Sequence, residues 1–156
     1  MRTLLLILLL VGQKDSTAQL TSFSFAEIDS LQNVEQRPVI VFIHTDWCKY
    51  CLAMKESTFK NKKVVEFISQ NYWFVVLNAE ENKTIVFREQ SFNYIPNGGN
   101  TGIHELAKAL ATVDGKTTFP TTTFLDETYT IRLQLQEFLN AKNFLLVLEE
   151  MIKTLN

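Results

Sequence analysis

Trp47-Cys48-Lys49-Tyr50-Cys51, reached through His44-Thr45-Asp46 from the apolar run Val39-Ile40-Val41-Phe42-Ile43, is the stretch on which the fold turns. The run is unbroken and mostly β-branched, which predicts a strand buried on both faces. Thr45-Asp46 predicts a turn, and Cys48 the start of a helix. The only two cysteines of the chain then stand at that helix start with two residues between them. A helix N-terminus favours negative charge, so it lowers the pKa of the first thiol. A thiolate is the form that attacks disulfides.

A chain of 156 residues predicts one domain. The chain is 46% hydrophobic with twelve Phe, enough for a packed core. A net charge of −2 and the lack of a basic run argue against nucleic-acid partners. Arg2, the eight apolar residues from Leu4 to Val11, and the small residues Ser16-Thr17-Ala18 form the three-part pattern of a secretory signal. Cleavage is expected after Ala18, leaving residues 1–18 as the leader and 19–156 as the domain. The apolar run is shorter than the roughly 20 residues a membrane span needs. In an oxidising compartment two cysteines ordinarily form a structural bridge. A bridge across two residues closes so small a loop that it restrains the unfolded chain little. A redox role explains the pair better. Half of a zinc site is the other reading, but zinc wants four ligands, and His44 and His104 form no second cluster.

Along the chain, Phe25 to Leu31 predicts a helix, with Ser24 and Glu27 as a capping box. The helix opened by Cys48 carries Cys51, Leu52 and Met54 inward and is interrupted near Thr58 to Asn61. Val64, Val65, Phe67 and Ile68 continue a helical stripe. Tyr72 to Leu77 is a second strand, and Thr84 to Phe87 a strand or a helix start. Asn93 to Asn100 reads as a loop, rich in turn residues. His104 to Ala111 is a helix, Thr121 to Leu125 and Thr130 to Leu135 are strands, and Ala141 to Leu155 is a closing amphipathic helix. This order describes an α/β fold with a mixed sheet flanked by helices.

Trp47-Cys48-Lys49-Tyr50-Cys51 after a buried strand, with Phe119-Pro120-Thr121 leading into a later one, resembles the thioredoxin superfamily. The likeness runs from about Phe25 to Leu155. Asp46 to Tyr50, Met54, Thr58-Phe59, Val64 and Asn71-Tyr72-Trp73-Phe74 are similar to secreted bacterial thioredoxin-like proteins, especially of the Bacteroidetes type. The resemblance implies a thioredoxin fold, with Pro120 as the cis-proline facing the cysteine pair. It implies Cys48 as attacking thiolate and Cys51 as resolving thiol. Trp47, Lys49, Tyr50, Phe119 and Pro120 become candidate substrate-binding residues. The implied activity is thiol–disulfide exchange on protein substrates, with the reductase direction favoured. The cysteine pair is itself the redox group, so no metal or organic cofactor is expected. The expected setting is the periplasm, with a membrane-linked thiol donor recharging a monomer.

Three departures stand out. The buried aspartate that thioredoxins carry six residues before the first cysteine is here Phe42. Proton transfer from Cys51 then needs water or another group, and His44 and Asp46 are near in sequence. Lys49-Tyr50 replaces Gly-Pro between the cysteines. The Cys48-to-Pro120 interval is longer than in thioredoxin, with the extra length expected at Thr84 to Thr112, as a lid, a recognition surface or decoration. The rival reading is a thioredoxin scaffold that binds a peptide or partner without turnover. A peroxidase or sensor based on Cys48 lacks a second activating group near the motif.

Overall fold

The computed structural model describes residues 19–99 and 101–155. The leader read at residues 1–18 lies outside them. The elements run α1 (Phe25–Gln32), β1 (Val39–His44), α2 (Lys49–Glu56), a 3-10 turn (Thr58–Lys60), α3 (Lys62–Asn71) and β2 (Trp73–Asn78). Two hairpins follow, β3 (Ile85–Phe87) with β4 (Gln90–Phe92) and β5 (Tyr94–Gly98) with β6 (Thr101–His104). Then come α4 (Glu105–Ala111), the small ribbon β7 (Thr112–Val113) and β8 (Lys116–Thr117), β9 (Thr121–Leu125), β10 (Ile131–Leu135) and α5 (Ala141–Leu155).

The main sheet has the order β10-β9-β1-β2. β1 runs parallel to β2 and antiparallel to β9, and β9 is antiparallel to β10. This is the thioredoxin fold, with helices on both faces of a mixed sheet. All six residues of β1 are buried, as the unbroken apolar run predicts. Strand alternation splits them. Val39, Val41 and Ile43 pack with α1 and α4, while Ile40 and Phe42 pack with α2, α3 and α5. Each such aliphatic side chain contributes roughly 1.5–3 kcal/mol by leaving water.

Local chemistry sets the element ends. Ser24 accepts from Glu27 N–H while the Glu27 carboxylate accepts from Ser24 N–H, the reciprocal box the sequence predicts. Thr58 Oγ1 donates to Leu139 O at 2.7 Å and pins the 3-10 turn to the segment before α5. Asn61 Oδ1 then accepts from Lys63 and Val64 N–H and starts α3. Phe59 stands against Phe42, Phe74 and Phe144, with ring centroids 4.7, 5.1 and 5.5 Å away.

Three expectations need correction. Leu52 does not point inward; it is 59% exposed, because Cys51 and Met54, three apart, define the buried face of α2 and Leu52 falls about 100° off it. Within the stretch read as a loop, Tyr94 to Gly98 is a strand that pairs with Thr101 to His104. Pro96 is tolerated because this ribbon belongs to no larger sheet. The extra length is also narrower than Thr84 to Thr112. α4 is part of the central packing, with Leu106, Ala107, Leu110 and Ala111 buried against the sheet. The two hairpins ahead of it carry the insertion. Of these, β3–β4 joins the core through Phe87, 4.9 Å from Phe25 and 4.8 Å from Tyr129.

Candidate active site

β1 delivers the chain to the end of the sheet, where Cys48 N–H donates to Thr45 O across a turn. Cys48 is then the N-cap of α2, so the helix proper begins at Lys49. Its Sγ accepts from Cys51 N–H at 3.1 Å, in the place an N-cap hydroxyl or carboxylate usually takes. Cys48 and Cys51 are joined by a disulfide, with Cα atoms 5.2 Å apart. In the reduced protein that N–H and the positive end of α2 face the Cys48 sulfur and favour its thiolate. Both cysteines are buried: Cys48 is 6% exposed, and Cys51 1%. Both sulfur residues pack into the cluster holding Phe42 and Met54. Cys48 remains the more reachable of the two.

Aromatic side chains project around the disulfide. Trp47 is 68% exposed, its ring edge-on to Phe119 at 6.2 Å. Its indole N–H donates to Glu80 Oε1 at 3.0 Å. Glu80 N–H donates to Asn78 Oδ1, and Asn78 Nδ2 to Asp46 Oδ1. Tyr50 is 66% exposed, its ring 6.1 Å from that of Phe138. Lys49 is exposed beside Cys48. The Phe119–Pro120 peptide is cis. Pro120 is buried at the head of β9, and Thr121 pairs with Ile43, so Pro120 lies at the end of the sheet where the Cys48 turn begins. Phe119 packs against both core clusters, one of which contains the cysteines. All seven residues singled out from the sequence therefore gather at one end of the sheet.

Phe42 has no exposed surface and stacks on His44 at 6.0 Å, so apolar surface fills the place of the thioredoxin carboxylate. His44 is buried, with Lys55 Nζ 2.9 Å from Nε2 and 3.2 Å from Nδ1, and Asp46 Oδ1 3.9 Å from Nδ1. Burial, then the Lys55 charge, pushes His44 below its usual range, against a Thr45 backbone hydrogen bond and Asp46. Burial also lowers Lys55, against the pull of Asp46. Lys55 went unnoticed in the sequence; its signal was the four-residue step from Cys51, which places both on one helix face. Among the described residues, no group of three or more His, Cys, Asp or Glu is placed to hold a metal ion. None of their helices is long and apolar enough to cross a membrane.

A mixed sheet between helices, a disulfide at the helix following the central strand, and a cis-proline heading the neighbouring strand place a dithiol–disulfide pair on a thioredoxin fold. The chain belongs to the thioredoxin-like domain family, whose profile matches residues 26–152. Its fold is similar to that of the oxidoreductase DsbH (TM-score 0.61, 19% identity, 92% of each chain). It is also similar to a thioredoxin-fold protein from Helicobacter pylori (TM-score 0.58, 22% identity, 76% of this chain and 70% of that one). An uncharacterised protein of Archaeoglobus fulgidus is 34% identical over 64 residues, 41% of this chain. The match spans half, 50%, of that curated relative's length.

Proposed function

We propose that this protein is a secreted, periplasmic reductase of protein disulfides, working as a monomer in the manner of the secreted Bacteroidetes-type proteins its sequence resembles. The Cys48–Cys51 disulfide at the N-terminus of α2, under the exposed Trp47 and Tyr50, carries this reading. In the reduced enzyme the Cys48 thiolate attacks a client disulfide. A Cys48–client bond forms, and the other client sulfur leaves as a thiolate. Cys51, once deprotonated, attacks Cys48 Sγ, the second client thiolate leaves, and the Cys48–Cys51 bond closes. Two electrons pass to the client, and a membrane-linked thiol donor resets the pair. Trp47, Tyr50 and Phe119 supply apolar contact, Lys49 adds positive charge beside Cys48, and Pro120 shapes the end of β9 that meets the client. Residues 1–18, with their apolar run, support the secreted location.

Equilibrating the mature protein with glutathione and dithiothreitol series tests the direction. A potential near the thioredoxin value of about −270 mV supports the reductase, and one near the DsbA value of about −120 mV reverses it. The gap is roughly 7 kcal/mol for a two-electron couple. Cys48→Ser abolishes insulin reduction, whereas Cys51→Ser accumulates mixed disulfides with clients. Unchanged turnover in Cys48→Ser would sink the mechanism. A peptide binder without turnover would trap no client.

A further inference from the structure

We infer that the β5–β6 hairpin extends the disulfide rim into a groove for an extended client segment, and that Lys108 selects an acidic side chain on it. This rests on the oxidoreductase reading, since the segment is the part of the client flanking its attacked cysteine.

The groove encloses about 490 Å³. Trp47 and Phe119 form one wall and Gly102 and Ile103 of β6 the other, with Ala79 and Thr45 between them. Trp47 directly precedes Cys48 in the chain, and Phe119 packs on the cluster that holds both cysteines, so this wall of the groove adjoins the reacting centre. The hairpin is anchored there. His104 N–H donates to Ala79 O at 2.8 Å, and Asn93 N–H to the Glu105 carboxylate at 2.6 Å. Gly102 lets the two strands close up, because the Tyr94 ring fills the space a Cβ would need. The other hairpin, β3–β4, is tied into the core by Phe87 and lines no part of this groove. The two halves of the insertion thus do different work.

An extended polypeptide fits this channel. Its apolar walls accept a side chain next to the cysteine. Thr45 is 3% exposed, and its hydroxyl has no partner among the described residues. Two opposite charges set the polarity. Glu80 stands at the Trp47 end, with one oxygen held by the indole N–H. Lys108 projects from α4 into the groove and forms no ion pair among the described residues. Within the groove an acidic client residue is therefore drawn to Lys108 and kept away from Glu80.

The test uses the reduced protein and matched disulfide peptides whose flanking residues are either Glu or Lys, with a small aromatic disulfide as control. The wild type reduces the Glu peptide about threefold faster, the size of an exposed ion pair. Lys108→Glu reverses that preference, and Thr101→Glu on the hairpin wall slows the Glu peptide by a similar factor. Both variants reduce the small disulfide at the wild-type rate. Equal rates for the two peptides, a preference unmoved by Lys108→Glu, or an equal loss on the small disulfide overturns the inference. If the wild type reduces none of these disulfides, the oxidoreductase reading fails. The groove is then judged by tryptophan fluorescence with cysteine-free peptides: tighter binding of the acidic one, reversed by Lys108→Glu, supports it, and no difference overturns it.

Discussion

Asp126→Asn is expected to cost about 2 kcal/mol of stability at pH 7, and the loss should vanish in acid. Asp126 follows β9, the strand headed by Pro120, and holds the turn into β10. Its Oδ1 accepts from Thr128 N–H, Thr128 Oγ1 and Thr130 N–H at 2.9, 2.7 and 2.9 Å. Its Oδ2 accepts from Arg132 Nε and Nη2 at 2.7 and 2.6 Å. The side chain is only 6% accessible, covered by these donors more than by the core. Burial opposes ionisation, but the hydrogen bonds from Thr128, Thr130 and Arg132 outweigh it and hold the carboxyl at about 2, against 3.8 when free. At 1.36 kcal/mol per unit, that lowering is worth about 2 kcal/mol. The folded pKa is depressed, so the contribution is complete above pH 3.8 and is lost as pH falls towards 2. Urea unfolding of wild type and variant across pH 7 to 2 reads it directly. With a slope of 1–3 kcal/mol/M, the midpoints differ by about 1 M at neutral pH and converge in acid. A gap under about 0.5 kcal/mol at pH 7, or one that persists unchanged at pH 2, would show that these hydrogen bonds do not stabilise the ionised Asp126 carboxylate.

Other outcomes follow from the same contacts. His44 resists protonation in the fold, so the unfolded chain takes up the proton first and stability falls as pH drops below about 6.5. His44→Gln flattens that part of the urea-stability profile, and an unaltered slope counts against the assignment. Phe59→Ala removes a ring touching three others and is expected to cost about 3–5 kcal/mol in urea unfolding. A loss below about 1 kcal/mol would show that the site collapses without penalty. Gly102→Ala sets a Cβ against the Tyr94 ring and 2.5 Å from Ile95 O, so the hairpin must shift. A local loss of about 1–3 kcal/mol should appear as faster amide exchange from Tyr94 to His104, and unchanged protection would contradict it.

The parts legible in sequence were those with short-range causes. The capping box at Ser24 and Glu27 involves residues three apart, and it forms as read. The buried run Val39 to Ile43 needs both faces covered, so it can only be a central strand. Asn93 to Asn100 was opaque because Pro96, Gly98 and Gly99 carry the same turn signals in a loop as in a twisted hairpin. Gly98 and Gly99 do adopt positive φ, of 109° and 57°, at its tip. The pairing that makes it a hairpin comes from Thr101 to His104, outside the stretch that looked like a loop. Glu80 went unnoticed as the partner of Trp47 because 33 residues separate them.

Sequence alone determined that two cysteines stand at a helix start after a buried strand, and that the apolar Phe42 lies within that strand. Those are properties of residue type and local spacing. Tertiary structure alone decided what surrounds them: Lys55 on His44, Glu80 on Trp47, and the β5–β6 hairpin beside Phe119. The physical reason is that contacts between distant residues depend on strand register and on which way each hairpin folds over the sheet. Neither is encoded in the periodicity of any one segment.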